Sequence, residues 1–196
     1  MMREVSGLKI LTLAAGQGFM RNPRGEKVMS NIRIYVACLA AYNNGHLHGM
    51  WLDATQGEKG IWKDVQAMLR GSPEEGAEEW AIHDYEGFEG VQISEYESFE
   101  RVARIAEYIE EHGSLGGQLL DHMGTIEAAI TAMEDHYYGE YESVSDFAQQ
   151  LTEETTTIPD NLSFYIDYEK MGRDLEINDF FTIETAHEEV HVFWSH

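Results

Sequence analysis

Residues 32–54, IRIYVACLAAYNNGHLHGMWLDA, determine the first elements of the predicted fold. The run at 32–40 is rich in β-branched and aromatic side chains and predicts a buried strand. YNNG at 42–45 is a turn signal, and residues 46–54 predict a second strand that pairs with the first as a hairpin. The first predicted structure along the chain is therefore a small antiparallel sheet.

The next segments extend this sheet into a ββαβ unit. Apolar residues at helical spacing predict a helix over residues 60–69, which the following Gly-Ser-Pro ends. Residues 78–86, EEWAIHDYE, predict a third strand. We assign these elements to a first domain, residues 29–90.

Residues 91–135 are predicted to form a second, helical domain. SEYE at 94–97 has the form of a capping box and leads into a helix that ends at Gly113. Residues 115–122 predict a further short helix, and Thr125 is suited to cap the one after it.

Residues 136–196 are predicted to form a third domain of mixed α and β structure. Its predicted elements are, in chain order, a strand at 137–143, a helix that starts at Ser143 or Ser145, a helix at 162–175, and a closing hairpin at 180–196. The predicted fold class is α+β.

The first 28 residues differ from the rest of the chain. They are mildly basic, contain glycine and show no clear hydrophobic period. The apolar run ILTLAA at 10–15 is too short for the core of a signal peptide. We predict that residues 1–28 are a disordered extension.

Charge is the most unusual property of the sequence. The chain holds 36 acidic and 13 basic residues, a formal net charge of −23. Residues 1–33 contain two of the acids and six of the bases, so residues 34–196 retain 34 acids and 7 bases and a balance of −27. Such a field repels nucleic acid and membrane surfaces and attracts basic grooves.

Cysteine and hydropathy narrow the class of protein further. The single cysteine, Cys38, excludes an intrachain disulfide framework and suits a reducing cytoplasm. No apolar run approaches the roughly 18 residues that a membrane-spanning helix needs. We therefore expect a cytoplasmic protein with no nucleic-acid or membrane partner.

Several short patterns resemble enzyme motifs, but each lacks its context. HEEVH at 187–191 matches a zinc-peptidase pattern that requires a helix, whereas its neighbours alternate as in a strand, so we predict a hairpin turn with surface histidines. His46 and His48 share a strand face without an evident third ligand. His83 beside Asp84 is a weak candidate for an oriented base.

We accordingly predict no catalytic, cofactor-binding or metal-binding residues and no cofactor. Two other classes stay open on the residues alone. One is an acidic metal-dependent hydrolase, and the other is an acidic interaction protein directed at a different DNA-binding protein. Metal analysis and competition against DNA would separate them.

Three motifs in order resemble the ArdA family of antirestriction proteins. IYVACLAAYNNGHLHGMWLD at 34–53 is similar to the opening strand, turn and G-x-W strand of that family. EEWAIHDYEGF at 78–88 is similar to its A-I-H-D-Y-E signature. NLSFYIDYEKMGRDLEI at 161–177 resembles its Y-I-D-Y-x-x-x-G-R-D-L segment. The resemblance runs from about residue 32 to residue 193.

The resemblance implies a DNA mimic rather than an enzyme. ArdA proteins are described as elongated homodimers of three small domains whose acidic side chains imitate the phosphates of a bent duplex. They occupy the DNA groove of type I restriction–modification enzymes, at the methyltransferase core with its specificity subunit. Plasmids and conjugative transposons carry them as protection for incoming mobile DNA. Our division into three domains fits that architecture, with residues 136–196 as the expected dimerisation domain.

The resemblance implies that the carboxylates are the partner-binding groups. In EEWAIHDYEGF, we expect Trp80 and Ile82 to anchor a strand while the acidic side chains face solvent. The predicted contacts are Glu74, Glu75, Glu78, Glu79, Asp84, Glu86, Glu89, Glu95, Glu97, Glu107, Glu110, Glu111, Glu134, Asp135, Glu140, Glu142, Asp146, Glu153 and Glu154.

Overall fold

A computed structural model describes residues 31–195 of the chain. These residues form six α-helices and two small antiparallel sheets, each of three strands, which confirms the predicted α+β class. The extension predicted at residues 1–28 lies outside the described residues.

The first sheet has the strand order β2-β1-β3 and contains β1 (Arg33–Cys38), β2 (Gly49–Asp53) and β3 (Trp80–Glu86). Both neighbours run antiparallel to β1. The side chains of Ile34 and Val36 on β1 are fully buried, so the central strand has the β-branched composition that a buried strand favours. The three predicted strands of this unit are confirmed.

The connection between β1 and β2 differs from the predicted turn. β1 ends at Cys38 because the chain enters a short helix, α1 (Leu39–Asn43), which is followed by a turn at 44–45. β2 begins only at Gly49, three residues later than the predicted start of the second strand. Buried Ala41 on α1 explains the helix, because it joins the core that the strands form.

Three helices continue the core of the first sheet. They are α2 (Gly57–Arg70), α3 (Phe99–Met123) and α4 (Ile126–Thr131). The cap of α3 differs from the prediction: the helix begins after Ser98, whose hydroxyl accepts the backbone N–H of Arg101 at 3.3 Å. The SEYE box lies one turn too early because its residues stay in the loop that runs past β3.

Gly113 divides α3 into two helical segments. Its backbone adopts φ +61° and ψ −144°, which is outside the helical region and is open to glycine at little cost. The two segments correspond to the predicted helix that ends at Gly113 and the predicted helix over 115–122. Thr125 caps α4 through the backbone N–H of Ala128, as predicted.

The second sheet has the order β4-β6-β5 and contains β4 (Tyr137–Tyr141), β5 (Phe180–Ala186) and β6 (Glu189–Trp194). The predicted closing hairpin is confirmed as the antiparallel pair β5–β6. A single π-helical turn, Ala132–His136, connects α4 to β4.

Two helices pack beside the second sheet, and one of them corrects a prediction. α5 (Val144–Thr155) is capped by Ser143, one of the two predicted starts. The single helix predicted at 162–175 is wrong: a 3-10 turn at Ser163–Tyr165 precedes α6 (Tyr168–Asn178). Asp167 causes the break, because its side chain accepts the backbone N–H of Lys170 at 2.9 Å and starts the helix there.

The buried apolar residues form two clusters. The larger joins the first sheet to α2, α3 and α4 and includes Ile183 and Phe193 of the second sheet. The smaller lies between the second sheet and its helices and contains Phe147, Phe180 and Val192. The division into domains at 29–90, 91–135 and 136–196 stays a prediction.

Candidate partner-binding surface

The predicted contact carboxylates lie at the surface. Seventeen of the nineteen are exposed, and the other two, Glu74 and Glu97, are partly buried. Among residues 31–195, the one acidic side chain that is buried is Asp53, whose carboxylate receives the backbone N–H and the hydroxyl of Thr55. The fold therefore presents its acidic residues to solvent instead of using them inside the core.

The strand β3 shows how the sequence achieves this presentation. Ala81 and Ile82 are buried and Trp80 is partly buried, whereas His83 and Asp84 are both exposed. Two consecutive residues can face solvent because the pairing of β1 with β3 shifts register between Tyr35 and Val36. The predicted anchoring of this strand by its apolar residues is confirmed.

A loop places further carboxylates beside β3. The backbone N–H of Ile82 donates to the carbonyl oxygen of Glu95 at 2.8 Å, so residues 91–97 run along the edge of the strand. The exposed hydroxyl of Tyr96 lies among acidic groups there, and its pKa is raised first by Glu95 and more weakly by Glu79. The structure thus brings together carboxylates that are sixteen positions apart in the sequence.

Helical spacing produces an acidic face on α3. Val102, Ile105 and Ile109 are buried, while Glu107, Glu110 and Glu111 are exposed on the opposite side. These three glutamates form no ion pair with a lysine or arginine of the described chain. Their charge is available to a partner.

A smaller set of carboxylates is already neutralised by arginine. Arg33 binds Glu86 through Nη2 at 2.6 Å, and its guanidinium carbon lies 4.6 Å from the ring centroid of Trp51. Arg101 lies 3.5 Å from Glu97. To bind a partner, Glu86 and Glu97 would each have to exchange their internal arginine for a basic group of that partner.

Arg104 pairs with a carboxylate that the sequence analysis did not select. Its Nη2 lies 2.8 Å from Oε1 of Glu127 at the start of α4. The pKa of Glu127 is lowered, first by a hydrogen bond to its own backbone N–H and then by Arg104. The first-turn position after the cap Thr125 is the signal that identifies Glu127 as a helix-capping charge.

Three carboxylates of α5 accept local hydrogen bonds. Gln149 and Gln150 donate to Glu153 and Glu154 one turn later on α5, at 2.9 and 2.8 Å. Asp146 accepts a hydrogen bond from Ser143. Amide and hydroxyl partners fix the direction of these side chains without removing their charge.

One shallow groove is lined by several acids. Its volume is about 350 Å³, and it lies between the 89–90 turn, the second half of α3 and β5. Glu89, Asp121 and Glu184 line it together with His122. Glu89 has a φ of +49°, and a Cβ built on Gly117 would lie 2.2 Å from its Cβ, so the acidic turn packs closely against the helix.

The candidate enzyme motifs do not assemble into active sites in the described residues. His46 contacts Glu74 at 3.0 Å, whereas His48 contacts the carbonyl oxygen of Met68 at 2.7 Å, so the two imidazoles have different partners. Asp84 accepts the backbone N–H of Tyr85, while the ring of His83 packs against Tyr42.

HEEVH lies at the β5–β6 turn, as predicted, and not on the helix that a zinc peptidase requires. The prediction that both histidines are at the surface is wrong. His187 is exposed, with 89% of its side chain accessible, but only 5% of His191 is accessible. His187 lies in the turn itself, whereas His191 lies on β6 and contacts Tyr137 and Thr185.

Comparison with known proteins identifies one family. The family model described as antirestriction protein (ArdA) matches residues 34–189, which is most of the chain. No curated protein matches the sequence. Among residues 31–195, no helix has the length and apolar character needed to cross a membrane.

Proposed function

The chain belongs to the ArdA family of antirestriction proteins, and from this we propose that it is a DNA mimic that inhibits type I restriction–modification enzymes. In this proposal, its acidic surface occupies the DNA-binding groove at the methyltransferase core with its specificity subunit. Incoming mobile DNA would then escape cleavage. The proposed activity is inhibition by binding, with no catalytic step.

The observation that carries this proposal is the excess of exposed carboxylates without basic partners. Counting Arg33, residues 31–195 contain 34 acids and 8 bases, a balance of −26. Three of those bases are in ion pairs with glutamates in the described chain: Arg33, Arg101 and Arg104. Most of the acidic charge is therefore left uncompensated at the surface.

The net charge of the described chain can be expressed as a length of DNA duplex. Double-stranded DNA carries one phosphate charge per about 1.7 Å of its axis, so a charge of −26 corresponds to about 44 Å, or about 13 base pairs. Two copies would represent about twice that length.

Carboxylates are chemically suited to this substitution. Like phosphates, they are anionic acceptors that an arginine of the target can bind through two parallel hydrogen bonds. Several acids here repel one another, for example Glu79 and Glu95 around Tyr96. A basic groove that closes over them would relieve this repulsion, which favours association with a DNA-binding enzyme over a neutral partner.

We also propose that the protein acts as a homodimer through residues 136–196. This section contains the most exposed aromatic side chains of the described chain: Phe164 is 92% accessible and Tyr165 is 84% accessible. Exposed apolar groups of this kind favour association. Light scattering at micromolar concentration should give twice the monomer mass, and a monomer would contradict the proposal.

Competition against DNA tests the main proposal. Purified protein is titrated into a complex of a type I methyltransferase with a labelled duplex and followed on native gels, with other DNA-binding enzymes as a panel. The expected result is displacement of the duplex at a low molar ratio, and weaker displacement as the salt concentration rises. Failure to displace DNA from any type I enzyme, or displacement from an unrelated enzyme instead, would contradict the proposed target.

A graded series of charge-neutral variants separates mimicry from a localised site. Exposed ion pairs contribute about 0.2–1 kcal/mol each, so changing all seven glutamates of α3, β3 and α5 to glutamine should weaken competition by about 1–7 kcal/mol in total. The same number of Asn→Ser, Gln→Ser or Thr→Ser changes at exposed positions is a control for surface disturbance. If competition persists unchanged in the neutralised protein, the acidic surface is not the binding surface.

A further inference from the structure

Three side chains with metal-binding atoms converge on the second sheet. They are Glu140 on β4 and both Glu189 and His191 on β6. One ligand atom from each residue lies within 4.8 Å of the others. Glu189 Oε1 is 3.5 Å from His191 Nε2.

Strand pairing explains why these residues meet. Glu140 is the direct antiparallel partner of His191, which places their side chains on the same face of the sheet. Glu189 precedes His191 by two positions on β6, so strand alternation puts it on that face as well. The donor set therefore belongs to the sheet and does not depend on a loop conformation.

His191 is held in a defined orientation from both sides. Its ring is almost fully buried, Nδ1 is 3.0 Å from the hydroxyl of Tyr137, and Nε2 is 3.1 Å from the hydroxyl of Thr185. A histidine that binds a metal through one ring nitrogen usually has the other fixed by a hydrogen bond, which is the role that Tyr137 can fill. The Thr185 hydroxyl can rotate away or supply a further oxygen ligand.

No lysine or arginine of the described chain neutralises the two glutamates. Neither forms an ion pair with a lysine or arginine of residues 31–195. A positive ion between them would stabilise this arrangement.

We propose that Glu140, Glu189 and His191 bind a divalent transition-metal ion, with Zn²⁺ as the best fit. Imidazole nitrogen favours Zn²⁺ and its first-row neighbours, whereas Mg²⁺ and Ca²⁺ prefer sites made only of oxygen. Three protein ligands leave room for water or Thr185 in a tetrahedral shell. The ion would fasten β4 to β6, and this role is independent of the proposed inhibition of restriction enzymes.

The direct test uses the full-length protein after treatment with EDTA. Titration calorimetry with Zn²⁺ should show one saturable site per chain. At a Zn²⁺ concentration of about 100 Kd, the melting temperature should rise by roughly 5–10 °C. Mg²⁺ at the same concentration should produce no comparable rise. Absence of saturable Zn²⁺ binding, or an equal effect of Mg²⁺, would overturn the proposal.

Variants locate the ion. Glu140→Gln removes one ligand from an exposed strand position and should weaken Zn²⁺ binding at least 10-fold. Glu142→Gln, just beyond the end of β4, is the matched control and should bind Zn²⁺ as the parent does. Equal affinity of the parent and Glu140→Gln would place the ion elsewhere and overturn the site.

Co²⁺ spectroscopy tests whether His191 is a ligand. Co²⁺ bound to the parent should show visible absorption typical of a low-coordinate site, and Zn²⁺ should displace it. His191→Gln should lose this absorption, whereas His187→Gln, at the exposed histidine of the same turn, should keep it. If His191→Gln does not fold by circular dichroism, Glu189→Gln replaces it, and an unchanged Co²⁺ spectrum in that variant would contradict the assignment.

Discussion

The two sheets have the same three-stranded antiparallel plan but treat their acidic residues differently. On the first sheet, Arg33 pairs with Glu86 and stacks over Trp51. On the second sheet, the corresponding basic group is His191, which lies between Glu140 and Glu189. Arginine is permanently charged, whereas histidine becomes a cation only on protonation and can bind a metal when neutral.

This difference indicates how each sheet can respond to a partner. The first sheet contains its own counter-ion in Arg33, whereas Asp84 on β3 and Glu95 in the 91–97 loop form no ion pair with a lysine or arginine of residues 31–195. The second sheet contains no arginine or lysine among its strands, so the basic side chain that its strands place beside the acidic pair is His191. The same strand arrangement thus places a permanent cation beside an acidic group in the first sheet and a titratable histidine beside two of them in the second.

Removal of a second-sheet side chain that packs in the larger core cluster should have the largest effect on stability. Phe193 on β6 is fully buried in the larger core cluster and stacks on Phe181 with ring centroids 5.0 Å apart. Phe193→Ala should lower the free energy of unfolding by about 3–5 kcal/mol. Urea denaturation of the parent and the variant measures this difference in the free energy of unfolding. Trp194→Ala, at the more exposed neighbour, is the control, and an equal loss there would show that Phe193 is not the link.

High pH should destabilise the protein through Tyr108 in the first core. Burial raises the pKa of Tyr108 from its usual 10.0 to about 12, and its hydroxyl donates to the carbonyl oxygen of Ala129 at 3.1 Å. The folded state keeps this proton while the unfolded chain loses it, so stability is present below pH 10 and falls as the pH rises toward 12.

The loss should be of the order of 2 kcal/mol over that interval. Denaturation curves of the parent and Tyr108→Phe between pH 9 and about pH 11.5 would measure it. The variant should show a shallower pH dependence because it has no proton to lose. The same slope in both proteins would assign the alkaline transition to other tyrosines.

Breaking the internal ion pair of the first sheet should have a small effect on stability. Arg33 and Glu86 are both partly solvent-exposed, so Arg33→Gln should cost about 1 kcal/mol or less, even with its contact to Trp51. The same change should leave competition with DNA intact or strengthen it, because Glu86 becomes available. Denaturation and native-gel titration test both effects, and a large loss of competition would contradict this interpretation.

Single neutralisations at unpaired positions should have the smallest effect. Glu79→Gln on the first sheet side and Glu142→Gln near the second should each change the inhibitory concentration by less than about 5-fold, since one exposed pair contributes about 0.2–1 kcal/mol. Competition titration with folding checked by circular dichroism measures this. Loss of inhibition from either single change in a folded protein would contradict a distributed surface.

A protein that lacks residues 1–28 should retain its inhibition. The prediction rests on the reversed charge of that segment and its lack of hydrophobic period. A chain that starts at Met29 is compared with the full chain in the same competition assay. A loss of inhibition on truncation would show that the segment contributes to the partner-binding surface.

Local sequence signals were sufficient where one short stretch controlled the structure. The β-branched run before Cys38, the caps at Thr125 and Ser143, and the closing hairpin at the C-terminus were all predictable. The capping box at 94–97 and the helix across 162–175 misled because several polar residues competed as caps. In the structure the caps are Ser98 and Asp167, each of which accepts the backbone N–H of the residue three positions later.

The sequence by itself determined the α+β class, the excess of acidic residues and their exposure, because charge and hydrophobic period are properties of neighbouring residues. Only the tertiary structure decided which acids are paired and which are close together. Arg33 meets Glu86, Glu79 approaches Tyr96, and Glu140 faces His191 through strand register. Register and packing join residues that are far apart in the chain, so no local pattern contains that information.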